Sequence, residues 1–168
     1  MGEGPKVKLD LTNTDKVIEF TGLTLLIGIW ILAILSFSDL PESIPTHYNG
    51  AGEVDEFGER TNIFVLTIIG TITFIGLTLL NKNPHIFNYP KTITNENALH
   101  QYSNATRMIR VLKLIIIFVF GLILVRTLQN TNGNADGIGT WFLPLTIGLF
   151  IIPTLYFLIK SMKINSNR

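Results

Sequence analysis

The sequence predicts an all-α, polytopic integral membrane protein: four transmembrane helices with an ordered outer loop between the first and the second. Three observations carry this. The 168-residue chain is 47% hydrophobic and only 15% charged, whereas an ordinary soluble domain carries about 25% charged residues. Four apolar runs, at residues 17–37, 63–80, 111–128 and 138–159, are each long enough to span, since about 20 residues at 1.5 Å each cover a hydrocarbon core of roughly 30 Å. The basic residues collect in the N-terminal arm, the second connector and the tail, which puts these three segments on one side, as four spans predict.

The first run, 17–37, follows an N-terminal arm over residues 1–16. It is broken only by Glu19 near its start. Its apolar core exceeds the roughly 7–15 residues of a signal peptide, so it reads as a retained helix. The arm has no basic excess: Lys6, Lys8 and Lys16 are offset by Glu3, Asp10 and Asp15. Residues 17–168 then form one four-helix membrane domain. Thr21, Thr24 and Gly28 share a stripe of the first span, and Thr67, Gly70, Thr71 and Thr78 share one on the second. Such small-residue stripes predict close helix–helix contact in lipid. Trp30, mid-span, is expected to pack against a neighbour.

The third run, 111–128, has Lys113 and Arg126 near its ends, where long side chains can snorkel to the interface. No ionisable residue lies in the middle of any span, which argues against a proton-coupled transporter. The fourth run, 138–159, holds Pro144 and Pro153 and is expected to bend. Trp141 begins it at an interface.

Lysine and arginine set the expected topology. The arm holds Lys6, Lys8 and Lys16, the second connector and base of the third span hold Lys82, Lys91, Arg107, Arg110 and Lys113, and the tail holds Lys160, Lys163 and Arg168. Only Arg60 and Arg126 remain for the other side. The positive-inside rule puts both termini in the cytoplasm of a cell membrane. The connector 81–110 starts extended at Pro84 and Pro90 and gains a helix capped by Thr94 or Asn95, with Glu96 in its first turn. Leu99, Tyr102, Thr106 and Ile109 recur at helical spacing. Arg107, Arg110 and Lys113 are expected at the lipid headgroups, at about 1 kcal/mol each. A cytoplasmic protein partner is the alternative use of this segment.

The first outer connector is the most informative. Residues 39–62 hold Asp39, Glu42, Glu53, Asp55, Glu56 and Glu59 against Arg60, a net charge of −5. Pro41 and Pro45 restrict the chain, Asn49-Gly50 signals a turn, and Gly52 and Gly58 permit positive φ. Ile44, Tyr48, Val54 and Phe57 supply apolar anchors. These features predict a compact cap on the outer helix ends. His47, Glu53 and Asp55 are the candidate metal ligands. Their spacing fits neither a zinc site, which wants three or four ligands dominated by His and Cys, nor a calcium loop. His85 and His100 fall on the other side of the membrane. There are no cysteines, which excludes disulfides and thiolate chemistry. A net charge of +1 gives no reason to expect nucleic acid.

The pattern Leu40-Pro41-x-x-Ile44-Pro45-x-His47-x-Asn49-x-x-Gly52-x-x-Asp55-x-x-Gly58 resembles the signature of a bacterial family called domain of unknown function 1648. The resemblance covers about residues 24 to 72. Phe87-Asn88-Tyr89-Pro90, Ile93-Thr94 and Glu96-Asn97-Ala98 are similar to a subgroup of small members. The domain also forms the N-terminal part of SdpI-like membrane proteins, which confer immunity to a secreted killing peptide and take part in signalling. Those proteins have further spans after the shared domain; two follow it here.

The resemblance implies that Pro45, His47, Asn49, Gly52, Asp55 and Gly58 form the ligand-binding loop. The expected function is non-enzymatic, of immunity or sensing type, with the acidic loop binding an extracellular peptide or envelope ligand and no cofactor. The alternatives are a metal-dependent membrane enzyme using the His47/Asp55 loop, and a structural accessory subunit. No His-Glu-x-x-His, Gly-x-Ser-x-Gly or phosphate-loop pattern occurs, so no catalytic residue is assigned.

Overall fold

A computed structural model describes residues 4–133 and 135–164; Arg168 of the basic tail lies outside them. The order is α1 (Asn13–Ser36), β1 (Ser43–Tyr48), β2 (Val54–Glu59), α2 (Val65–Leu80), α3 (Ala98–Thr131) and α4 (Phe142–Lys163). All four helices, together with the short 3-10 turns that extend α1 to Asp39 and start α2 at Arg60, are long and apolar enough to cross a membrane. The protein is a multi-pass membrane protein. The expected four spans are present, and the cap between the first two contains a two-stranded antiparallel sheet, which the turn signals alone did not specify.

α1 starts ahead of its apolar run because Thr12 and Asp15 form a capping box: the Thr12 hydroxyl accepts from the Asp15 N–H at 3.2 Å and the Asp15 carboxylate accepts from the Thr12 N–H at 3.0 Å. These bonds satisfy donors that a helix N-terminus leaves open. α3 begins at Ala98, later than Thr94 or Asn95 would have allowed. The reason is local. The Thr94 N–H donates to the Asn97 side chain at 2.9 Å, and the Asn97 N–H donates to the Thr94 hydroxyl at 3.3 Å. Both polar groups are used in a turn before the helix. α3 then runs for 34 residues, about 51 Å at 1.5 Å per residue.

α3 is the mast of the bundle: α1, α2 and α4 all pack on it. Leu26, Ile29 and Ala33 of α1 meet Ile117 and Leu124 of α3 in one buried cluster, which Leu40, Ile44 and Ile63 close at the hairpin end. Gly22 of α1 is buried against Phe74, and Gly70 of α2 against Ile117 and Phe120. The α2 stripe therefore packs as expected. The α1 stripe does not. Thr21, Thr24 and Gly28 are exposed, and a Cβ on Gly28 would meet nothing within 4 Å among the described residues. The face through Gly22, Leu26, Ile29 and Ala33 is the one turned to α3.

Trp30 does pack on a neighbour. It stacks near Phe64, with ring centroids 6.3 Å apart, and its indole N–H donates to the Thr71 hydroxyl at 3.0 Å. At the far end, α4 is tied to α3 by side chains that reach its backbone. Asn104 donates to the Phe157 carbonyl at 2.9 Å and Gln101 to the Ser161 carbonyl at 3.0 Å. Pro153 lies inside α4, while Pro144 sits in its first turn, where the missing N–H has no helical acceptor to lose. In the connector before α3, the Tyr89 hydroxyl donates to the Pro84 carbonyl at 2.8 Å. Burial, with Tyr102 beside it, raises the Tyr89 pKa above the ordinary phenol value.

Candidate functional site

The hairpin sits across the ends of the helices where α1 stops and α2 starts. Leu40 and Ile44 are buried in the helix cluster, each stabilising the docked cap by about 1.5–3 kcal/mol. Arg60 N–H donates to the Glu42 carbonyl at 3.0 Å and closes the base. The tip is organised by Asn49. Its side-chain oxygen accepts from the Ala51 and Glu53 N–H groups at 2.9 and 3.1 Å, and its amide donates to the Glu53 carboxylate at 2.9 Å. This is the local hydrogen bonding that makes Asn a turn former.

Gly52 connects the tip to the α3–α4 loop. It has φ +83°, and its carbonyl accepts from the Ile138 N–H at 2.7 Å. A Cβ there would lie 2.5 Å from the Gly139 carbonyl oxygen. Only glycine satisfies both the left-handed backbone and the close approach. Gly58 is tight for a different reason: a Cβ would lie 2.7 Å from the Asn62 amide and 2.9 Å from the Thr46 methyl. A second tie joins the hairpin to α3. The Tyr48 hydroxyl is 2.9 Å from the Thr127 hydroxyl and accepts from the Asn130 amide at 3.1 Å; Asn130 in turn accepts from the Gly137 N–H at 2.7 Å.

The strand register shifts on both sides of His47. His47 Nδ1 lies 2.6 Å from Asp55 Oδ1, and the two side chains are 62% and 42% exposed. Of the six motif residues, Pro45 and Gly52 are buried, Asn49 and Gly58 shape the hairpin, and His47 with Asp55 form its open polar pair. Glu53 is held by Asn49 instead of joining His47 and Asp55. Among the described residues no three potential ligands gather as a metal-binding group.

Below the hairpin lies a cleft of about 400 Å³, within the roughly 300–1,000 Å³ range of ligand pockets. Its walls come from the hairpin, from Val65 and Leu66 of α2, from Ile123, Leu124 and Thr127 of α3, and from Phe142 and Leu143 of α4. His47, Thr46 and Asn62 are at its polar edge. The sequence placed the motif but not this cleft. Thr127, Asn130 and the α4 start were missed because they are distant in the chain; the polar character of residues 127–137 was the available signal.

At the other end of the bundle, the basic residues of α3 pair with carboxylates of α1. Arg107 Nε donates to Asp15 at 2.7 Å, Arg110 Nε is 3.3 Å from Glu19, and Lys113 Nζ donates to Glu19 at 2.6 Å and to the Thr78 hydroxyl at 2.7 Å. The Lys113 ammonium also lies 4.1 Å from the Phe74 ring centroid. Its side chain is 1% exposed, so it faces the bundle. Carboxylates on α1 attract these cations more strongly than a distant interface does, because apolar surroundings strengthen the pairing.

A helix bundle of four spans, closed at one end by a hairpin over an apolar cleft, defines a multi-pass membrane protein with a capped ligand-sized cavity. Residues 24–71, from within α1 through the hairpin to the start of α2, match the family described as Domain of unknown function (DUF1648). An uncharacterized protein of Archaeoglobus fulgidus is 34% identical over 93 residues, covering 51% of this chain and 51% of the relative. The chain thus matches about half the length of that relative. No solved structure matches.

Proposed function

We propose that this is a non-enzymatic recognition protein of immunity or sensing type, whose hairpin faces outward and binds an extracellular peptide or envelope ligand. The observation that carries the reading is the exposed His47–Asp55 pair at the edge of an apolar cleft. A polar pair beside apolar walls is the usual composition of a ligand site, where apolar area provides affinity and a few polar groups fix orientation. The net charge of −5 over residues 39–62 favours a cationic amphipathic ligand. The distribution of Lys and Arg supports an outward hairpin, with both termini in the cytoplasm of a bacterial cell membrane. The SdpI-like resemblance of the motif supports immunity or signalling as the biological role.

On the arm side, Arg107, partly exposed while paired with Asp15, would share the headgroup role with exposed lysines. Lys16, Lys82, Lys91 and Lys160 are exposed and are the groups that would meet anionic lipid or a cytoplasmic protein partner.

The test uses the full chain in nanodiscs and a fluorescent peptide of alternating Lys and Leu turns as the probe. Wild-type protein is expected to bind it in a salt-sensitive manner. His47→Ala with Asp55→Ala is expected to weaken binding at least tenfold while helix content and monodispersity are unchanged. Equal binding by the double variant overturns the proposal.

A further inference from the structure

We infer that the cleft holds the apolar chain of an amine-headed membrane amphiphile, which enters between α2 and α4. This rests on the ligand site proposed above and names the class of molecule that fills it. The floor and side walls come from residues of three apolar spans: Leu66 of α2, Ile123 and Leu124 of α3, and Phe142 and Leu143 of α4. They lie towards the hairpin-side ends of those spans. α2 and α4 both pack on α3 but share no extended face with each other. Val65 at the start of α2 and Leu143 at the start of α4 both line the cleft and are exposed, so the cleft opens on the side of these two helices.

Away from Thr46, His47, Asn49 and Asn62, the lining offers water little. The Tyr48 and Thr127 hydroxyls, which point into this region, are 2.9 Å apart and bond each other. A site for water needs two to four polar partners, and an apolar cavity without them stays dry or takes an apolar guest. In a bilayer the neighbouring apolar guest is a lipid chain. The polar edge specifies the head. His47 lines the cleft and pairs with Asp55, which lies outside the lining, and the hairpin around both is strongly acidic. An ammonium is attracted there and a bare anion repelled. The occupant therefore combines an apolar chain with an amine, as in phosphatidylethanolamine, in preference to phosphatidylglycerol.

The experiment reconstitutes the full chain in vesicles of equal phosphatidylethanolamine and phosphatidylglycerol, then delipidates it in detergent and measures retained lipid by native mass spectrometry. Wild-type protein is expected to retain one phosphatidylethanolamine per chain, at least fivefold over phosphatidylglycerol. Leu66→Trp and Leu143→Trp, which fill the cleft from opposite walls, are expected to lower retention at least fivefold. Ile152→Trp, on the outer surface of α4, is expected to leave it unchanged. Absence of retained lipid, equal retention of both lipids, or unchanged retention in both cleft variants overturns the inference. So does a Leu143→Trp variant that loses the Lys/Leu peptide but keeps the lipid, because the cleft then belongs to peptide. Lipid retention with no peptide binding supports the inference while removing the peptide reading.

Discussion

Lys113 on α3 donates to Glu19 on α1 at 2.6 Å, across 94 positions of sequence. Glu19 also receives Arg110 at 3.3 Å, so one carboxylate holds two cations. Removing the carboxylate and removing one cation are therefore unequal changes. Glu19→Leu leaves Arg110 and Lys113 facing each other without a counter-charge, whereas Lys113→Met leaves Glu19 with Arg110.

Glu19→Leu is thus expected to destabilise the protein more than Lys113→Met. Breaking a buried pair costs roughly 3–5 kcal/mol, and the partial exposure of Glu19 puts Glu19→Leu near the lower end, about 3 kcal/mol, with Lys113→Met nearer 1 kcal/mol. Thermal unfolding in detergent measures the ranking. A larger loss from Lys113→Met would show that Glu19 is not the shared partner.

Gly52→Ala is expected to release the hairpin tip from the α3–α4 loop. Left-handed backbone alone costs a non-glycine residue about 1–3 kcal/mol, and here the methyl group also meets the Gly139 carbonyl. Hydrogen exchange should accelerate over residues 48–54 and 137–139 while the helices stay protected. Gly50→Ala, whose Cβ would meet nothing within 4 Å among the described residues, is the control and should change neither region.

His47→Ala should scarcely alter stability. The pair with Asp55 is exposed on both sides, and exposed pairs contribute about 0.2–1 kcal/mol. A midpoint of unfolding close to wild type is expected, and it makes any loss of binding in this variant a loss of recognition. A large stability loss would favour a purely structural role for the histidine.

Tyr48→Phe removes a hydroxyl that meets both Thr127 and Asn130. The expected cost is about 1–2 kcal/mol, since two partners lose a bond of roughly 0.5–1.5 kcal/mol each. Thr127→Val should cost less, because Asn130 keeps its bond to Tyr48. Denaturant unfolding of the two variants gives the comparison.

The spans were legible because a run of apolar residues long enough to cross lipid is a property of the local sequence. The hairpin tip was legible as a turn, since Asn49 and Gly52 act on backbone within a few residues of themselves. The strands were not, because residues 54–59 are half charged and lack the alternation of a half-buried strand. They pair because the docked Ile44 and the Asn49 turn bring them together. The stripe of α1 was misjudged because small residues mark a possible contact face, whereas the larger Leu26 and Ile29 beside Gly22 and Ala33 gave the better fit to α3. The inward turn of Lys113 had a signal: Glu19 and Lys113 each lie just inside the same end of their spans. Opposite charges at matched depth attract once the helices are neighbours.

By itself the sequence determined four spans, their basic asymmetry and a compact acidic cap, because apolar length, charge placement and proline or glycine geometry act locally. The tertiary structure decided which face of α1 meets α3, that Glu19 gathers Arg110 and Lys113, and that the hairpin roofs a cleft made from three helices. Each of these depends on residues tens of positions apart, whose meeting is fixed by how the helices pack around α3 and not by any one segment.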